Sequence, residues 1–352
     1  MHKHANKHAR SSAGASNAGR RHRAAKWARV ALVAAAPVLG AGAVAAPAVA
    51  KPHNDQAGQY RFNTLDNQAD PTFNQLLGIN QHGVIAGYFG SGAAGHPNKG
   101  YLLTAPYGQA NYRNENWPES TQTQVTGLND HGVTVGFWST TNNPGVNGAA
   151  PVNDNRAFVS YHGYFIDGDF PTDSPASPPA DQLLGVNDHD IAVGFYNDAA
   201  GNTHAYSFDI RRNQYTEITP SGIANPTAAG INNRGDIAGF GAMPNGQVVG
   251  FLLRRDGNVT ILNVPGSSMT QALGINDDNE VVGVYQVGGN NGVMHGFTWT
   301  AQHGFQTVDD PHGVGGTTIN GVNDQGQLVG FYTDAAGNTD GLLATPAWQH
   351  RG

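Results

Sequence analysis

The stretch Gly78-Ile79-Asn80-Gln81-His82-Gly83-Val84-Ile85-Ala86-Gly87-Tyr88 recurs five more times along the chain with variations. Aligned on its Asn, the copies fall at Asn80, Asn129, Asn187, Asn232, Asn276 and Asn323, spaced by 49, 58, 45, 44 and 47 residues. Gly stands two places before every Asn (Gly78, Gly127, Gly185, Gly230, Gly274, Gly321) and seven places after it (Gly87, Gly136, Gly194, Gly239, Gly283, Gly330). Repeats of this period are the mark of stacked or ring-like architectures. Each copy predicts a hairpin, with a short apolar strand, a polar turn such as Asn129-Asp130-His131-Gly132, and a Val/Ile-rich strand such as Val281 to Tyr285. Asn suits the first turn position and Gly the fourth. Gly within both strands marks close backbone approach.

Working outward, a second hairpin follows each copy. Its first strand is aromatic or apolar, as in Tyr101-Leu102-Leu103 and Phe251-Leu252-Leu253, and its return strand ends near a Pro (Pro118, Pro171, Pro220, Pro265, Pro311). Pro belongs at or beyond a strand end because it cannot donate to a ladder. Only five return strands follow their own hairpins, since the chain ends soon after Leu343. The sixth stands at the other end, at Tyr60-Arg61-Phe62-Asn63-Thr64-Leu65, followed by Pro71. Four-stranded units of about 40–50 residues, in a set of 4–8, describe a propeller. The expectation is an all-β, six-bladed β-propeller of four-stranded blades, closed by the N-terminal strand pairing with the last blade. An open solenoid is the runner-up, but it needs no split unit at its ends.

Composition agrees. Of 352 residues 48 are Gly and 19 are Pro, about 19% together, against roughly 12% on average. Both are costly inside helices, which excludes a mainly helical protein. Cys is absent, which excludes zinc ribbons and thiol catalysis. Residues 1–50 hold eight Lys or Arg and no acid, and Val30 to Ala50 is uncharged. A basic region, an apolar run and Ala48-Val49-Ala50 predict a signal peptide over residues 1–50, cleaved near Ala50 and Lys51. A membrane anchor is the rival. Arg20-Arg21 leaves Sec and twin-arginine export both open. Residues 51–352 then form one secreted domain with 11 basic and 26 acidic groups, a net charge of −15. That balance speaks against a nucleic-acid partner. A monomer is expected, extracellular, or periplasmic where the cell has an outer membrane, with no membrane span after cleavage.

The Gly-(Ile/Leu/Val)-Asn-(Asp/Asn/Gln) box, the Gly-aromatic ending and His295-Gly296-Phe297 resemble the bacterial extracellular HAF-repeat proteins, over about Tyr60 to Trp348. The resemblance implies secretion and a repeated β architecture, and it carries over no catalytic residue. His189-Asp190 and Asp278-Asn279 depart from the pattern where the turn Gly is replaced, which puts the tight turn in question in blades 3 and 5.

Chemistry is sparse. Two residues before the first aromatic or apolar residue of strand three stand Lys99, Arg156, His204, Val249, His295 and Asp340. This position is mostly polar yet differs in charge and size among the blades, unlike the Gly and Asn positions. If it rings the central opening, it offers a grip on an acidic or sugar ligand, with two His near neutral pH; otherwise these are exposed strand-start residues. The aromatics Phe89, Trp138, Tyr196, Tyr285 and Tyr332 predict core packing for most, with Trp138, beside the loop from Ser139 to Asn155, as a ligand-stacking candidate. That loop and the Pro-rich connection Thr172 to Asp181 enlarge one sector, either as a binding lobe or as tolerated insertions. Asp130, Asp188, Asp277 and Asp324 after the Asn, and the matching Asp198–Asn202 and Asp334–Asn338 segments, raise calcium only weakly, for Asx residues favour turns anyway. No metal ligand set or cofactor is assigned. The leading expectation is a non-catalytic binding or scaffold propeller for an extracellular carbohydrate or a surface protein. The alternative is a polysaccharide lyase or glycoside hydrolase using His204, His295 and Arg156, with Tyr206 nearby. A lyase needs a base and a charge-neutralising group, a hydrolase a carboxylate pair.

Overall fold

A computed structural model describes residues 59–140, 154–289 and 292–347. The expected leader and cleavage point, and most of the loop from Ser139 to Asn155, lie outside the described residues. Among the described residues, 24 strands form a six-bladed propeller. Blade 1 runs, from the axis outward, through Asn74–Ile79, Ile85–Phe89, Lys99–Leu103 and Tyr112–Asn114. In the sixth blade the inner three strands are Gly316–Val322, Leu328–Thr333 and Thr339–Pro346. The fourth strand of that blade is Tyr60–Thr64, antiparallel to Thr339–Pro346, with Asn63 opposite Leu343. The first and last strands of the fold thus complete one blade.

The inner strands show why the repeat is what it is. A β-carbon added to Gly78 would lie 3.3 Å from the α-carbon of Gly127, and the same close approach runs through Gly185, Gly230, Gly274 and Gly321 back to Gly78. Only glycine lets six inner strands converge so closely. Just before each of these glycines the ladder shifts register by one residue. Such a bulge re-aims one side chain, and the shifted residues (Leu77, Thr126, Leu184, Ala229, Leu273, Asn320) line the axial channel. The second repeated Gly has another duty. A β-carbon at Gly283 would meet the Gln271 carbonyl at 1.9 Å and the Phe297 ring at 2.9 Å.

The repeated Asn is both a turn former and a joint between blades. Asn187 Oδ1 accepts from the backbone N–H of His189 and Ile191 at 3.1 Å each, while its Nδ2 donates to the Asn232 carbonyl at 3.0 Å. The lateral bond is made in all six blades, from Asn80 to Asn129 and onward, and Asn323 Nδ2 donates to the Asn80 carbonyl at 3.1 Å. The cycle is closed. A second cycle follows in the next residue. The N–H groups of Gln81, Asp130, Asp188, Asn233, Asp277 and Asp324 each donate to the side-chain oxygen of the same position in the following blade, at 2.7–2.9 Å. The recurring Asp residues are therefore structural acceptors.

The turns of blades 3 and 5 keep the geometry of the others. Asp190 and Asn279 take φ of 58°, where Gly132 has 82°. Asp and Asn tolerate the left-handed region, and here they are also used: Asn129 Nδ2 donates to Asp190 Oδ1 at 3.0 Å, and Asn232 Nδ2 to Asn279 Oδ1 at 2.8 Å. Apolar clusters fill the space between blades; one joins Leu76 and Tyr101 of blade 1 to Val329 and Leu343 of blade 6. Among the described residues no helix is long and apolar enough to cross a membrane.

Candidate ligand-binding groove

The variable polar position does not ring the central opening. Its six members sit on third strands, and the channel is lined by inner strands. Neighbouring strands are about 4.8 Å apart, which puts a third strand about 10 Å farther from the axis than a first one. Each polar member is instead occupied locally. Lys99 Nζ donates to the Thr121 carbonyl at 3.0 Å. Arg156 pairs with Asp169 at 3.2 Å, His204 with Asp198 at 3.1 Å, and His295 with Asp309 at 2.7 Å. Asp340 is buried beside Tyr332, and burial raises its carboxyl above the usual range, with the charge on Asp334 adding to the rise. Val249 is buried.

The aromatics packed as expected. Tyr196, Tyr285 and Tyr332 are buried, and Tyr196 and Tyr285 each stack on the His across the ladder, with ring centroids 4.9 Å and 5.2 Å apart. Trp138 is half-buried with its ring parallel to that of Trp117 at 4.8 Å. Trp117 therefore takes one face of the ligand-stacking candidate. The Pro-rich connection folds onto blade 3, where Phe170 stacks on Tyr196 at 4.5 Å and Ala199 N–H donates to the Ser174 carbonyl at 3.0 Å. Asp198 and Asp334 spend their carboxylates on their own turns, accepting from Asn202 and Asn338. Among the described residues no three His, Asp or Glu side chains are placed to share a metal ion.

The most displaced carboxyl is Asp181. Burial drives it up to about 8, against a bond from Tyr206, with the charge of Asp169 adding to the rise. Asp169 is itself raised to about 6, first by burial and then by Asp167. Shifted carboxyls can mark reaction centres. Here Asp181 and Tyr206 are both buried, 5% and 0% exposed, so a substrate has no access to them and their role is in packing.

Among the described residues, two concave places stand out. The axial channel has a volume of about 110 Å³. Water occupies about 30 Å³ in the liquid, so the channel has room for a few waters, well short of the roughly 300–1,000 Å³ of ligand sites. The other is a groove of about 510 Å³ at the seam between blades 6 and 1. One wall is the closing strand, with Arg61 and Asn63, and Thr345 and Leu343 opposite them on the neighbouring strand. The facing wall is Pro106 and Tyr107 of blade 1. It exists because the loop between strands three and four of blade 1 spans residues 104–111, eight residues, against two to five in blades 2–5. Tyr107 is pinned there by its hydroxyl, which donates to the Gly83 carbonyl at 2.9 Å. No sequence motif announced this site; the long loop was the available sign.

No protein-family model matches the chain, nor does any curated protein sequence. Similarity is found among solved structures. TolB from Acinetobacter baumannii is 12% identical at a TM-score of 0.46, covering 79% of this chain; the chain spans 66% of that protein. The fungal lectin of Aleuria aurantia, a six-bladed β-propeller described with a fucose recognition mode, is 8% identical at 0.45, covering 79% of this chain and 96% of the lectin. A polysaccharide lyase acting on ulvan is 13% identical at 0.42, with 79% of each chain covered. At these scores and identities the likeness selects no function for this chain.

Proposed function

We propose that this chain is an exported, non-catalytic binding propeller of the HAF-repeat kind, with an extracellular carbohydrate as its ligand and the seam groove as its site. The observation that carries the reading is the groove itself: a volume in the range of ligand sites, walled by an aromatic side chain and by polar side chains that the fold leaves uncommitted. Sugars offer an apolar ring face and a rim of hydroxyls, and aromatic rings and short polar groups answer both. Among the described residues, the Asn63 amide makes no hydrogen bond within the protein. Arg156, His204 and His295, the residues an enzyme would use, are each engaged with a carboxylate of their own surroundings. Export rests on the basic and apolar leader.

A panel of oligosaccharides tested against the whole protein and Asn63→Ala checks this. At least one saccharide should bind, and the substitution should weaken it about tenfold, the value of one good polar contact, with folding unchanged. A panel with no bound member, or binding indifferent to Asn63, overturns the site.

A further inference from the structure

The seam groove is lined by a positive charge in a domain that is acidic overall. Its lining contains a guanidinium, Arg61, and no Asp or Glu, in a secreted region carrying 26 acids and 11 bases. Four other arginines of the fold are spent on carboxylates: Arg156 on Asp169, Arg211 on Asp190, Arg212 on Asp209 and Arg254 on Asp236. Arg61 is exposed and, among the described residues, forms no ion pair or hydrogen bond through its side chain. Its placement is specific to this seam. The ladder registers align Arg61 with Asn111, Tyr164, Gln214, Asn258 and Gly304 of the other five blades, none of them charged. The one basic residue at this position thus coincides with the blade junction that the eight-residue loop walls off.

Alternation along the closing strand sets its direction. Phe62 packs into the apolar cluster shared with blade 5, and Leu65 into the one shared with blade 1. Successive strand residues point to opposite faces, so Arg61, Asn63 and Leu65 share the face toward blade 1 and the groove. A guanidinium presents a rigid fork of donors that matches a planar or tetrahedral oxyanion in two-point contact. Asn63 and Thr345 flank it, and Tyr107 with Pro106 supplies the apolar wall.

We propose that the groove selects an acidic saccharide and that Arg61 holds its anionic group, a uronate carboxylate or a sulfate ester. This rests on the reading of the groove as a carbohydrate site. The domain's net charge opposes an anion at long range. At physiological ionic strength, however, exposed charges beyond about 8 Å are largely screened, while a contact pair in a groove is screened much less.

The test is calorimetric titration of the whole protein with matched oligosaccharides that share one backbone and differ only in carrying a neutral sugar, its uronate or its sulfate ester. The acidic members should bind wild type at least tenfold more tightly than the neutral one. Arg61→Gln should remove that preference, bringing the acidic members to the affinity of the neutral one, while Arg61→Lys should keep part of it; an unchanged melting temperature shows that both variants fold. Comparing the uronate and sulfate arms identifies the source of the anion. Equal binding of neutral and acidic members by wild type, or a preference that survives Arg61→Gln, overturns the inference and leaves the carbohydrate reading standing. No binding by any member overturns both.

Discussion

The axis and the outer seams of this propeller obey different rules. At the axis a residue touches the same residue of the blades on either side. Asn187 donates to Asn232 and receives nothing in exchange but the matching bond from Asn129 to its own carbonyl. A change in one blade therefore breaks a cycle of six, and six near-identical boxes are the outcome. At the outer seam a residue faces one neighbour only. Arg61 and its counterparts Tyr164 and Gln214 share a register position and nothing else. Tyr164 is 81% exposed, so in blade 2 that position has no structural task at all. Repetition in this chain marks closure, and departure from it marks freedom to bind.

The sharpest way to break that contrast is a hub glycine. Gly274→Ala puts a β-carbon 2.6 Å from the Asn320 carbonyl of the next blade, which cannot withdraw without moving that blade's inner strand. Overpacking of this kind costs about 3 kcal/mol, the upper end of the usual range, because backbone rather than a side chain must move; it is read as a fall in the urea midpoint. Asn187→Ala comes next. It takes one of two donors from the Asn232 carbonyl, which keeps the Gly235 N–H, and leaves the N–H groups of His189 and Ile191 without their acceptor, worth about 2–4 kcal/mol at 1–3 for each unsatisfied group, partly relieved by water. If either substitution costs less than about 1 kcal/mol, closure is not what the repeat preserves.

These same positions show how far the sequence could be read. Six matches at two offsets exposed Gly78 and Asn80 and their counterparts, and the unpaired strand at Tyr60 exposed the closure. The second hydrogen-bonded cycle was missed because Asp130 or Asp188 alone is explained by turn preference. Gln81 was the clue, since a longer side chain with the same acceptor stands there and reaches Asp324. The variable position was misplaced because periodicity gives a residue's strand, not that strand's distance from the axis. The groove was invisible for a further reason. Its walls come from residues 61–65 and 343–345 on one side and 106–107 on the other, and their meeting depends on ring closure and loop length together.

Between hub and rim lies Asp181, and pH separates its effect from both. An unfolded Asp titrates near 3.9, whereas burial holds this one at about 8. Between those values the native state keeps a proton that the unfolded chain has lost. The stabilising contribution is complete below about pH 4 and is lost as pH rises through 8. The Tyr206 hydroxyl lies 2.6 Å from Asp181 Oδ1 and 3.1 Å from the Gly168 carbonyl. Its single proton serves both contacts only if the carboxyl supplies the other. Asp181→Asn imitates the protonated form, donating to Tyr206 and accepting from the Phe170 N–H. Wild type should therefore lose stability relative to the Asn variant from pH 5 to pH 8, by on the order of a few kcal/mol. Parallel stability curves for the two proteins exclude a protonated Asp181.

The smallest effect is expected where the sequence looked most chemical. His295 is held by Asp309 at 2.7 Å and stacks on Tyr285, with a quarter of its side chain exposed. His204 repeats the arrangement with Asp198 and Tyr196 in blade 3, a third exposed. Partly exposed ion pairs contribute about 0–1 kcal/mol, and the tyrosines keep their other packing: the Tyr285 hydroxyl bonds Thr307 at 2.8 Å, and Tyr196 donates to Glu217 at 2.7 Å. Alanine at either His should lower stability by less than about 1 kcal/mol. It should also leave saccharide binding at the seam unchanged, because both residues sit at the starts of third strands, beside the loops that join strands two and three. The Pro106–Tyr107 wall belongs to a loop between strands three and four, at the opposite ends of the strands. A loss of saccharide binding in His204→Ala or His295→Ala, with folding intact, would move the site to that other face. It would also mean that a position differing in charge and size among the blades can serve binding without facing a seam, and the division between closing hub and binding rim would have to be drawn again.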